Sequence, residues 1–172
     1  MCSASTSGRR FYFDLAKLRK NQDKGEPTWT PAVSLVVGLR ESLRMMKAEG
    51  LENVFARHAM LASATRAACT ALGCELFAQG APSPSVTSVK VPKGLNGSEL
   101  VQGLRKHHGI TISGGQEHLK GKIFRIAHMG YFGTFDITTA IAGVEMMLAE
   151  LGHPVQLGAG VGAALQIFRS KR

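Results

Sequence analysis

The residue types that demand a chemical explanation in this sequence begin with Arg125, inside residues 122–131, which read Lys-Ile-Phe-Arg-Ile-Ala-His-Met-Gly-Tyr. In an extended segment Ile123, Arg125, Ala127 and Met129 share one face, and Phe124, Ile126 and His128 share the other. A guanidinium among apolar neighbours loses its hydration at a cost of several kcal/mol unless it is paired. Arg125 therefore has a fixed acidic partner, receives an anionic ligand, or sits on an edge strand and snorkels to water. Its planar fork of donors suits a carboxylate held by two parallel hydrogen bonds. A second candidate is Thr28 and Thr30 between Pro27 and Pro31, two hydroxyls on a backbone that the prolines stiffen. Such hydroxyls can hold a phosphate. Equally, Thr30 can cap the helix that follows, with Pro31 at its first position. Gly114 and Gly115 form a third, a pair permitting either a conformation closed to other residues or a close approach of backbone to a ligand.

Other suggestive residues carry less. His58 falls among the apolar positions of a helix and reads as a satisfied interface histidine. His107 and His108 are adjacent on a helix, point to different sides and cannot easily share a metal. Three cysteines, Cys2, Cys69 and Cys74, give an odd count without C-x-x-C spacing, which argues against a disulfide framework, a zinc site or an iron–sulfur cluster. Cys69, inside an expected helix, reads as core filler, and a reducing compartment is the natural setting. Residues 158–163, Gly-Ala-Gly-Val-Gly-Ala, fit a dinucleotide fingerprint, but no strand precedes them as that motif requires.

The elements that must position these residues follow from periodicity. Helical spacing runs over residues 32–49, 51–72, 97–108, 134–151 and 158–168, and residues 11–20 form a short helix or extended arm. Strands are expected near residues 76–77, 86–91, 110–112 and 123–128. Strands gathered in mid-chain with helices at both ends predict an α+β fold, an antiparallel or mixed sheet covered by helices on one face. The 172 residues suffice for a real core, with 44% hydrophobic and 19% charged residues. The net charge of +9 is scattered and aromatic residues are only 6%, so a nucleic-acid partner is not indicated. No apolar run approaches the roughly 18 residues of a membrane span. The expected location is cytoplasmic; residues 1–10, rich in Ser, Thr and Arg, give a faint organellar hint and read as a disordered tail or truncation edge.

Taken in order, Thr30-Pro31-Ala32-Val33-Ser34-Leu35, Gly38-Leu39-Arg40-Glu41-Ser42-Leu43, Gly50-Leu51-Glu52-Asn53, Ile112-Ser113-Gly114-Gly115, and Phe124-Arg125-Ile126 followed by Gly130 resemble class V aminotransferases, in particular the alanine–glyoxylate and serine–glyoxylate group. The resemblance covers roughly residues 11–168. It implies the small C-terminal domain of a fold-type I, pyridoxal-phosphate-dependent homodimer, with residues 11–50 as an interdomain segment and residues 51–172 as the small domain. It further implies that Arg125 binds the α-carboxylate of an amino or oxo acid, with Gly115 beside it. Thr28 or Thr30 would reach the cofactor phosphate of the opposite subunit, which of the two being open. The Schiff-base lysine of the family has no counterpart here, so the lone chain is expected to be inactive. The expected whole enzyme moves an amino group from alanine or serine to glyoxylate or another 2-oxo acid. The alternative is a non-catalytic dimerisation or interaction module, including the label of a soluble-hydrogenase small subunit borne by some of this group.

Overall fold

A computed structural model describes residues 11–170; the tail expected at residues 1–10 lies outside them. The chain divides into two compact units, Met1–Ala48 and Glu49–Arg172.

In the first unit, helix α1, Leu15–Gln22, starts where the Asp14 carboxylate accepts from Lys17 N at 3.0 Å, a side-chain cap that satisfies one orphan N–H. Phe11 and Tyr12 stack around Trp29, with the Phe11 and Trp29 centroids 4.4 Å apart. Lys17 Nζ stands 4.0 Å from the Trp29 ring centroid, a cation over a π face. Helix α2, Val33–Glu49, whose last residue opens the second unit, contains no buried residue. It begins at Val33, whose N–H bonds Pro31 O, so Thr30 is not its cap and Pro31 is not its first residue. Ala32 O accepts from Val36 N at 3.1 Å, so Ala32 stands in the flanking position expected for Thr30.

The second unit holds α3 (Leu51–Ala71), β1 (Val86–Lys90), α4 (Gly97–His107), β2 (Ser113–Gly114), β3 (Ile123–Ala127), α5 (Thr134–Glu150) and α6 (Ala159–Ser170). The sheet is antiparallel, in the order β1-β3-β2. Thr87, Val89, Phe124, Ile126 and His128 are buried, as period-two alternation demands of a sheet covered on one face. They meet Leu100 and Leu104 of α4, Val144 and Leu148 of α5, and Cys69 and Leu72 at the end of α3. Leu61, Ala64 and Ala68 of α3 form a second cluster with Ile137, Ile141, Ala164 and Phe168.

Two strand expectations needed correction. Leu76 forms only a single bridge to Val89. Residues 110–112 are irregular, and pairing starts at Ser113. Ile110 and Ile112 instead pack on the core. Residues 158–163 follow a coil, not a strand. Their glycine has a packing reason: a Cβ on Gly160 would stand 2.9 Å from Leu72 Cγ. Gly160 N also donates to the buried Glu145 carboxylate at 3.2 Å, so the chain's own anion occupies an N–H that a fingerprint loop would offer to phosphate.

Candidate active site

Arg125 sits on β3, the central strand, which removes the edge-strand reading. Its cross-strand partners are Ser88 on β1 and Ser113 on β2. Two small polar neighbours leave room around a long side chain that points away from the core face. Arg125 Nε donates to Gly114 O at 3.0 Å, and no carboxylate of the described residues lies within salt-bridge distance of it. The fixed-acid alternative is therefore not what these residues provide. With Nε tied to a carbonyl, the remaining edge of the guanidinium, Nη1 and Nη2, is oriented rather than free to sweep. That edge can still form a bidentate pair with a carboxylate.

Arg125 lines a cleft of about 520 Å³, together with Ile110, Ile112, Ser113, Phe132 and Phe135. The walls are mostly apolar around one cation, a common character for a site that binds a small organic anion. Asp136 is also at the cleft, but its carboxylate accepts from Gly133 N at 2.7 Å, at the start of α5.

Gly115 neighbours Gly114, and its reason for being glycine is steric. A Cβ there would stand 1.9 Å from Leu119 O, while Gly115 N donates to Ile123 O at 3.0 Å. The close approach is thus of backbone to backbone within the turn after β2. Gly114 contributes the carbonyl that fixes Arg125.

Thr28 and Thr30 belong to the first unit. Thr28 is half-buried and lines a groove of about 650 Å³ with Arg19, Gln22, Gly25 and Pro27; Thr30 is exposed. Trp29 Nε1 is buried without an acceptor among the described residues.

Other candidates resolve into structural roles. His58 Nε2 is 3.3 Å from Gly130 O. His107 and His108 do converge, both within 3.4 Å of Glu150, because His108 lies past the last helical residue and escapes the helical spacing. Among the described residues no group of three His, Cys, Asp or Glu could hold a metal. Burial pushes the Cys69 thiol up to about 12 and that of Cys74 to about 11, so both stay protonated at neutral pH and neither is a nucleophile.

Sequence reasoning missed Arg57. Its Nε and Nη2 grip the Glu49 carboxylate at 2.6 and 2.9 Å, and Nη1 donates to Gly130 O at 2.8 Å and Phe132 O at 3.0 Å. The partners lie 8, 73 and 75 residues away, and no local pattern announces them.

Comparison with known proteins identifies the family. Residues 9–133 match the family model Aminotransferase class-V. The chain is 44% identical over 161 residues to a protein named soluble hydrogenase, small subunit, from Synechococcus sp., covering 92% of this chain and 42% of that protein. It is 41% identical over 138 residues to a serine–glyoxylate aminotransferase of Arabidopsis thaliana, covering 79% and 34%. The crystal structure of ureidoglycine–glyoxylate aminotransferase from Bacillus subtilis superposes with a TM-score of 0.84 at 32% identity, over 92% of this chain and 42% of that one. The chain thus spans about two fifths of the length of the relatives that it matches over most of its own. It belongs to the class V aminotransferase family.

Proposed function

We propose that this chain carries the substrate-carboxylate site of a pyridoxal-phosphate-dependent transaminase that moves an amino group between alanine or serine and glyoxylate or another 2-oxo acid. The observation that carries the reading is Arg125 itself: a cation on the central strand, tied at Nε to Gly114 O, flanked by serines, and facing a mostly apolar cleft without an acidic partner among the described residues. The names of the glyoxylate-using relatives agree in substrate class.

The role of Arg125 is to bind and orient. Two hydrogen bonds to a carboxylate remove rotation about that group and fix where the α-carbon's hydrogen points. Gly114 pre-sets the guanidinium, and Gly115 lets the turn close tightly behind it. The walls of Ile110, Ile112 and Phe132 exclude water from the pair, which strengthens it. Pyridoxal phosphate, when bound, supplies the electron sink for the α-carbon. At its phosphate end this chain offers hydroxyl donors, Thr28 and Thr30, of the kind that hold phosphate, with Arg19 at the same groove as Thr28. Its aldehyde end has no evident anchor: no described lysine is buried, and the half-buried Lys90 is paired with Glu75. This supports a chain that binds substrate but does not turn it over alone, completed by a cofactor domain in a homodimer. In this reading residues 51–172 are the small domain and residues 11–50 the interdomain segment.

The reading is tested by titrating the labelled chain with pyruvate and glyoxylate and following the Arg125 Nε–H resonance. Both acids should shift it, and acetaldehyde, which lacks the carboxylate, should not. Arg125→Met, compared with the unsubstituted chain by titration calorimetry, should weaken binding about 30-fold or more, roughly 2 kcal/mol or greater for a desolvated charge pair. Equal binding by Arg125→Met would sink the assignment. The hydrogenase-subunit name borne by one relative favours a second reading, an interaction module without cofactor. That reading predicts dimerisation on size exclusion regardless of added pyridoxal phosphate and no response of Arg125 to oxo acids.

A further inference from the structure

We propose that Arg57 is a positioning residue for the Arg125 cleft: it clamps the loop between β3 and α5 so that Phe132 stands as a wall beside the bound carboxylate. The proposal rests on the carboxylate reading of Arg125. It goes beyond that reading by assigning a function to a side chain of α3 that lies on a different element from the cleft strand.

Arg57 makes four hydrogen bonds, two to the Glu49 carboxylate and one each to Gly130 O and Phe132 O. With 21% and 28% of the two side chains exposed, the pair is partly desolvated, and that cost offsets much of its Coulombic gain. What the arrangement does accomplish is geometric. Glu49 holds the planar fork in one orientation, and the Nη1 edge then fixes two alternate carbonyls of one short loop. The fork and carboxylate reinforce each other: its hydrogen bond to Arg57 holds the Glu49 carboxyl below the usual carboxylate range.

The loop needs such a clamp. It leaves β3 at Ala127 and enters α5 at Thr134, and it carries Met129, Tyr131 and Phe132, all exposed. Gly130 takes a φ of +90°, a conformation that glycine adopts freely and that does not stiffen the chain. Its ends are secured separately, by His128 bonding Pro84 O and by Asp136 bonding Gly133 N. Between those ends, Arg57 and His58 are the side chains that hold the Gly130 carbonyl, and Arg57 alone among them reaches Phe132. Phe132 lines the cleft with Arg125. Lysine can replace this fork only in part, because one ammonium cannot grip a carboxylate bidentately and two carbonyls in a fixed plane.

The experiment measures pyruvate affinity of the full chain by titration calorimetry in four forms: unsubstituted, Arg57→Met, Arg57→Lys and Arg125→Met. It also measures amide hydrogen exchange at residues 129–132 and the melting temperature of each. Arg57→Met should weaken pyruvate roughly tenfold, the scale expected when a neighbouring wall is misplaced. Its melting temperature should change little, its loop amides should exchange faster, and Arg57→Lys should recover part of both losses. Unchanged affinity and exchange in Arg57→Met would overturn the proposal. So would an affinity loss that follows the melting temperature without recovery in Arg57→Lys. If Arg125→Met abolishes binding while Arg57→Met leaves it intact, only the positioning role fails. If Arg125→Met binds as well as the unsubstituted chain, the carboxylate reading fails and the proposal falls with it.

Discussion

His128 shows how much one side chain can fix. Nδ1 lies 2.8 Å from Pro84 O, which can only accept, so Nδ1 carries the proton and Nε2 accepts from the Thr87 hydroxyl at 2.9 Å. Burial lowers its pKa against the opposing Pro84 bond, and the charges of Arg66 and His58 lower it further. The unfolded chain takes up a proton below about 6.5 while the folded chain resists. Stability from this residue is therefore complete above that pH and lost as pH falls below it, with a slope of up to about 1.4 kcal/mol per pH unit. Urea melts at pH 7.5 and 5.5 should reveal the loss in the unsubstituted chain. A smaller pH effect is expected in His128→Asn, whose amide can donate to Pro84 O; an identical effect in both would sink the argument. At this scale the sequence was most legible where alternation governed. The faces of residues 123–128 followed from period two, and Arg125 emerged opposite Phe124 and Ile126. The loop contacts of Arg57 and the His128 pair were invisible because the carbonyls and the hydroxyl they meet lie 41 to 75 residues away.

Among the elements, α6 depends on a neighbour for its start. Glu145 is buried on α5 and accepts from Gly160 N within the first turn of α6. A carboxylate there complements the positive end of the helix dipole. Glu145→Ala should cost about 1–3 kcal/mol in thermal denaturation by stranding the N–H and emptying the site. Glu145→Gln, which keeps an acceptor, should cost less, and a ranking in the other order would refute the bond's role. Helices were easier to foresee than strands. The long periodic segments gave α3 and α5 to within a residue or so, and α4 starts at Gly97 as expected, behind Asn96, whose side chain accepts from Ser98 N. The short apolar run Ile110-Thr111-Ile112 misled, because β-branched residues suit any half-buried extended backbone and periodicity does not say whether a partner strand is alongside.

For the whole molecule, α2 is the element whose sequence and surroundings disagree. Val36, Leu39, Leu43 and Met46 recur at helical spacing, yet they are 62, 58, 55 and 40% exposed. Apolar stripes of this kind promote association when nothing covers them. Sedimentation of the chain should therefore depend on concentration, and Leu39→Glu with Leu43→Glu should reduce that dependence. No change in the double variant would exclude this stripe as the cause. Among the described residues no helix is long and apolar enough to cross a membrane. Periodicity made α2 legible as a helix, but it speaks only of which side is apolar, not of what lies against it.

The distances along the chain between hydrogen-bonded partners also order events in time. Arg125 and Gly114 are 11 residues apart, whereas Arg57 must find Phe132 across 75. Closing a long loop costs more entropy than closing a short one, and non-local contacts come later in folding. The guanidinium of Arg125 is thus aimed while the chain is still assembling, and the wall beside it arrives last. A site built in this sequence has its binding group set by a nearly autonomous turn, and its enclosure is the part that opens first when the fold loosens.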